Sequence, residues 1–245
     1  MHSSATVPVS YQALVQHFTA SPGKAYLVYG DAAVFRLSLR IAAYMIANGG
    51  SIAVVDGANR FNVHAISEFA RGRRMDPDAF LRRIYISRGF TCYQMEQAIV
   101  NRLPGFLNSI HSSTAMIFGL LDTFYDEQAS LREVQHILTR ILSSLRTMKT
   151  EGVSVLLACT EWNVLPQERN KLFADLKSGV DSIYRAHITE QQELQFFAES
   201  PSTKIEKGAA RNGTHSTNLH QHHRQRDGGL VEIPERPAEG RPGGI

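Results

Sequence analysis

The chain has 245 residues, 43% hydrophobic and 20% charged, enough for one large domain with a complete core and ordinary for a globular protein. A net charge of +3 is too small to demand a nucleic-acid partner, and no apolar run approaches the ~20 residues of a membrane span. Met1 to Ser10 lack a basic segment followed by an apolar core, so no secretory signal is expected; Cys92 and Cys159 read as reduced core thiols of a cytoplasmic protein.

Tyr11 to Phe18 predicts a short amphipathic helix, within residues 10–20, broken by Ser21-Pro22-Gly23. Ala25 to Tyr29 is a short apolar run ending at Gly30 and reads as a buried strand. Val34 to Ala47 reads as a helix stopped by Asn48-Gly49-Gly50. Ile52 to Val55 predicts a second strand, Val63 to Arg74 a helix, and Ile84 to Ile86 a short third strand. Cys92 to Leu103 reads as a helix that Pro104-Gly105 stops, and Ala115 to Leu121 as a fourth strand. The strongest periodicity runs from Leu131 to Met148, where Val134, Ile137, Leu138, Ile141, Leu142 and Leu145 form one helical stripe. Val153 to Ala158 predicts a fifth strand; Ser182 to His187 and Leu194 to Phe197 predict two more, paired through a short turn.

Strands and helices therefore alternate, and the strands are continuous apolar runs. The expected class is α/β: three layers, with a mostly parallel sheet covered on both faces. Residues 1–197 form the domain. From Ala198 the 48 remaining residues contain no aromatic and hold seven of the 18 Gly and four of the nine Pro, which predicts a disordered tail, 198–245. His215, His220, His222 and His223 lie in it without Cys or carboxylate partners at ligand spacing, so no metal site is expected.

The most specific stretch is Ile52 to Ile99. Its first strand ends Val54-Val55-Asp56-Gly57-Ala58-Asn59-Arg60-Phe61, and after a helix comes Leu81-Arg82-Arg83-Ile84-Tyr85-Ile86-Ser87-Arg88-Gly89-Phe90-Thr91. This order resembles the ATPase core of RecA-type recombinases, including RadA, RadB and KaiC-like relatives, over about Ala25 to Phe197. The resemblance implies a RecA-like P-loop NTPase fold.

That family's phosphate loop reads G-x-x-x-x-G-K-[ST]: backbone amides cradle phosphates, the Lys neutralises charge, and the hydroxyl holds magnesium. Gly30 matches the first glycine, but Phe35 stands at the second, Arg36 at the Lys and Leu37 at the Ser or Thr. Phe35 brings bulk to a position that suits glycine, and Leu37 offers no oxygen to magnesium. Asp56 matches the family's Asp, yet Ala58 replaces the Glu that activates water. Gly119 falls at the magnesium-supporting Asp, with Asp122 the nearest carboxylate. The resemblance therefore implies a degenerate nucleotide site at Gly30, Phe35, Arg36, Leu37, Asp56, Ala58 and Asp122, with no catalytic residue and no cofactor.

Arg71, Arg73, Arg74, Arg82, Arg83 and Arg88 face only Asp76 and Asp78, a local surplus of +4. They could meet a phosphate backbone, but a solvated helix end and a loop around Asp76-Pro77 is the preferred reading, because few aromatics suited to base stacking interleave them. Thr160-Glu161-Trp162-Asn163 follow the fifth strand, where the family carries a polar sensor residue. No G-x-S-x-G elbow supports a hydrolase.

Three readings follow. The resemblance implies a non-catalytic RecA-like mediator acting through a protein partner, another RecA-like protein or a second copy, in DNA recombination or repair. An atypical ATPase would use ATP and magnesium through Arg36 and Asp122 or Glu161. A nucleic-acid-binding module would use the Arg71–Arg88 cluster on DNA.

Overall fold

The apolar runs become strands buried on both faces, and helices cover each face. The computed structural model describes residues 7–125, 129–161, 164, 166–189 and 194–199. The strands are β1 (Val7–Val9), β2 (Ala25–Gly30), β3 (Ile52–Asp56), β4 (Ile84–Arg88), β5 (Thr114–Phe118), β6 (Ser154–Thr160), β7 (Ser182–Ile188) and β8 (Leu194–Glu199). They form one sheet in the order β1-β8-β7-β2-β6-β5-β3-β4. Strands β2 to β7 run parallel; β8 is antiparallel to both β7 and β1.

The helices are α1 (Tyr11–Ala20), α2 (Ala33–Ala47), α3 (Val63–Gly72), α4 (Pro77–Leu81), α5 (Cys92–Glu96), α6 (Leu103–Ser109), α7 (Leu131–Thr150) and α8 (Lys171–Ser178). Side chains alternate along each strand and so feed two cores. Leu27, Tyr29, Ile117 and Cys159 meet α5 to α8; Tyr26, Val28, Phe118 and Ala158 meet α1 to α4. The α7 stripe is buried from Val134 to Met148, each large apolar side chain contributing roughly 1.5–3 kcal/mol relative to exposure. Ser130 caps this helix by accepting from the Glu133 amide at 3.3 Å. No helix among the described residues is long and apolar enough to cross a membrane.

Several boundaries differ from expectation, each for a local reason. Pro104-Gly105 does not stop the helix that starts at Cys92. A π-helical turn, Gln97–Arg102, joins α5 to α6, and Pro104 falls in the first turn of α6, where its missing N–H matters least. The strand expected to reach Leu121 ends at Phe118, because Gly119 adopts φ +58 and turns the chain into a 3-10 turn, Leu120–Thr123. Helix α3 ends at Gly72 rather than Arg74, whose φ is +57. Asp76-Pro77 begins α4, with the Asp76 side chain accepting from the Asp78 amide at 3.0 Å. Strand β8 includes Ala198 and Glu199, two residues assigned above to the tail; the rest of that tail lies outside the described residues.

Candidate functional site

In open α/β sheets the ligand crevice lies beyond the carboxyl ends of strands, where neighbouring strands send their connections to opposite faces. Adjacent strands β2 and β6 meet this condition: α2 follows β2 on one face, and α8 follows β6 on the other. The crevice is bounded by Gly30, which pairs with Thr160, and by the ends of β3 and β5, where Asp56 pairs with Phe118.

Gly30 has φ +125, and a Cβ there would sit 2.1 Å from the Ala186 carbonyl oxygen. Glycine is therefore required, but its task is the close approach of β2 to β7. Only Asp31 and Ala32 separate this strand from α2. Four amides around this corner are already engaged. Asp31 N–H donates to the Ala186 carbonyl at 3.3 Å, and Ala33 N–H to the Asp31 carboxylate at 2.9 Å. Val34 and Phe35 amides donate to the Asp31 and Ala32 carbonyls at 3.0 and 3.3 Å. A carboxylate of the chain itself thus stands at the helix start, the place where an anion would otherwise bind.

The helix read from Val34 places Phe35, Arg36 and Leu37 as the structure does. They lie inside α2, beyond the turn, and Phe35 carries no positive φ. Phe35 is 4% exposed and packs on Phe118 at 5.8 Å between ring centroids, with Phe61 stacked on the other side of Phe118 at 6.1 Å. The Arg60 guanidinium lies 5.7 Å from the Phe35 ring centroid. Leu37 is buried, whereas Arg36 lies on the outer side of α2, beside Tyr11 and Arg40.

Asp56 is 1% exposed and works as a loop staple. Its Oδ1 accepts from the Ala58 and Arg60 amides at 3.3 and 3.1 Å, and its Oδ2 from the Phe61 amide at 2.9 Å. Ala58 touches the turn at Gly119: a Cβ added to Gly119 would lie 2.2 Å from the Ala58 Cβ. The two positions where the resemblance expects carboxylates therefore form one tight contact between loops. Asp122 stands on the following 3-10 turn. Burial pushes the Cys159 thiol and the Tyr125 hydroxyl upward in pKa, and the Asp122 charge adds to both shifts. Cys159 is consequently a protonated core thiol and a poor nucleophile. Arg169, 5% exposed, donates to the Phe124 and Ala129 carbonyls at 2.7 and 2.5 Å and holds the loop beyond Asp122.

One polar cluster at this end of the sheet was not anticipated. Tyr29 donates to Glu199 Oε1 at 2.6 Å, and Lys177 Nζ donates to the Tyr29 hydroxyl at 2.7 Å and to Glu199 Oε2 at 2.8 Å. Burial pushes the Tyr29 hydroxyl up, and the Glu199 bond and charge push it further. For Glu199 burial acts upward, but the Lys177 and Tyr29 hydrogen bonds, with the charges of Lys177 and Arg185, outweigh it and hold the pKa low. The three groups satisfy one another, which is the signature of an internal clamp. Arg185 pairs with Glu161 at 3.0 Å on the exposed rim; Trp162 and Asn163 lie outside the described residues. No group of three His, Cys, Asp or Glu among the described residues could hold a metal ion.

The arginine cluster divides. Arg73 lies over the Phe69 ring at 4.6 Å, Arg82 pairs with Asp76 at 3.9 Å, and Arg83 donates to the Gly49 carbonyl. Arg71, Arg74 and Arg88 are exposed. Tyr85, Phe90 and Tyr93, at 37%, 68% and 49% exposure, lie on edge strand β4 or just after it. Aromatic surface is thus more plentiful beside the later arginines than the sequence suggested. No protein-family model matches the chain, and no curated protein matches its sequence.

Proposed function

We propose that the protein is a non-catalytic relative of the RecA-type ATPase core that acts through contacts with a protein partner, in DNA recombination or repair. The reading combines the residue pattern of Ile52 to Ile99 with one structural observation: the connection between β2 and α2 is two residues long, and the Asp31, Ala33, Val34 and Phe35 amides around it are bonded to the chain itself. A phosphate cradle needs several free amides converging on one point. The Ala58–Gly119 contact is consistent with this reading, because it occupies the region where water-activating and magnesium-supporting carboxylates would meet. The recombination role rests on the resemblance alone.

The atypical ATPase is disfavoured because Arg36 stands on the exposed side of α2, beside Tyr11 and Arg40. A titration of the full chain with ATP and ADP, with and without magnesium, tests the reading. No binding is expected at about 1 mM nucleotide. Magnesium-dependent binding that perturbs the Asp31–Ala33 amides would overturn it.

A second reading is favoured by Phe90, 68% exposed and two residues after the exposed Arg88: a single-stranded nucleic-acid surface combining stacking with phosphate contacts. Oligonucleotide anisotropy should then show binding that weakens steeply with salt, with a reduced slope for Arg88→Ala and weaker binding for Phe90→Ala. Absence of binding at low salt rejects this reading.

A further inference from the structure

A cavity of about 210 Å³ opens between α1, α2 and β8, lined by Tyr11, Arg36, Leu37, Arg40, Leu194 and Phe196. Its apolar part is fixed by Leu37 and Phe196, 3% and 2% exposed. Arg36 and Arg40, one helical turn apart on α2, supply two exposed guanidinium groups, and neither forms an ion pair with a described residue. Helix α1 begins at Tyr11 with no acidic residue in its first turn, and Arg36 lies in the first turns of α2. Burial pushes the Tyr11 hydroxyl up in pKa, while the charges of Arg40 and Arg73 oppose that shift, so the cavity lies in a positive field.

We infer that this cavity binds a compact phosphate monoester, with its apolar group against Leu37, Leu194 and Phe196 and its phosphate held by Arg36 and Arg40. Size and charge both support that class. An apolar cavity of about 150 Å³ holds a benzene ring, so 210 Å³ holds one ring and part of a headgroup. Two guanidiniums match a dianion better than a single carboxylate charge, and their planar forks suit phosphate oxygens.

The test uses the full chain and phenyl phosphate, with inorganic phosphate, benzoate and phenol as comparators, followed by calorimetry and amide chemical shifts. Phenyl phosphate should bind most tightly, and shift the amides of Arg36, Leu37, Arg40 and Phe196. Arg36→Ala and Arg40→Ala should each weaken it about tenfold while leaving thermal unfolding unchanged, because both side chains are exposed. Arg71→Ala should leave binding unchanged. Equal affinity for inorganic phosphate would show an adventitious ion only and overturn the inference. Equal affinity for benzoate, undiminished binding by both arginine variants, or no saturation with phenyl phosphate at about 10 mM would overturn it as well. Nucleotide binding at the crevice, which would sink the proposed function, reads out at Asp31–Ala33 and is distinguishable from any of these.

Discussion

Replacing Asp56 with alanine separates a structural carboxylate from a nucleotide-binding one. The wild-type side chain accepts three backbone bonds, at 3.3, 3.1 and 2.9 Å, and is 1% exposed. A hydrogen bond to a charged group contributes about 1.5–3 kcal/mol, and a buried donor left without an acceptor costs about 1–3 kcal/mol. The longest of the three bonds adds little. Counting the two shorter ones gives a loss of roughly 3–5 kcal/mol for Asp56→Ala. Asp56→Asn keeps one carbonyl acceptor and turns an amide toward the other donors, so about half that loss is expected. Urea unfolding followed by far-UV circular dichroism measures both. For a domain this size the alanine variant should melt roughly 6–20 °C lower. A destabilisation under about 1 kcal/mol, with the fold intact, would refute the staple role.

Other outcomes follow from the same packing. Gly119→Asp should destabilise by about 2 kcal/mol or more, through the overlap with Ala58, and Ala58→Gly should recover part of that in the double variant; additive losses would contradict the contact. Glu199 has a folded pKa held below the ordinary glutamate value, so its contribution is complete at neutral pH. It is lost as pH falls below about 4.3 and through the folded pKa, and Lys177→Met should flatten this acid limb of the stability curve. Cys159 and Cys92 are buried, so neither should react with a thiol reagent before unfolding; rapid labelling of native protein would contradict their placement. Arg169→Met should loosen the loop that its guanidinium holds, seen as faster amide exchange at Phe124 and Tyr125.

What could be read from the residues was what local physics decides. Each run read from Ala25, Ile52, Ala115 and Val153 is apolar on both sides of the pleat, so strand identity followed directly. The α7 stripe was equally plain. Punctuation misled where one dipeptide serves two purposes. Asp76-Pro77 looked like a loop but is a cap followed by a first-turn proline. Pro104-Gly105 looked like a stop, but a π turn precedes it and absorbs the missing donor. At the candidate site the sequence identified Ala58 and Gly119 as two separate losses; only the pairing of β3 with β5 shows that they touch. The Tyr29–Lys177–Glu199 clamp joins side chains 148 and 22 positions apart, with no periodic signal to connect them. Phe35 was matched to a motif glycine because the motif dictated the spacing, whereas two residues suffice to begin α2.

The self-bonded corner after Gly30 bears on timing. Switch proteins keep time by gaining and losing a charged group that rearranges the backbone around it. Here the Asp31 carboxylate already takes the Ala33 amide at that corner. Under the proposed reading nothing is spent and nothing is reset, so whatever starts or ends this protein's work must come from its surroundings.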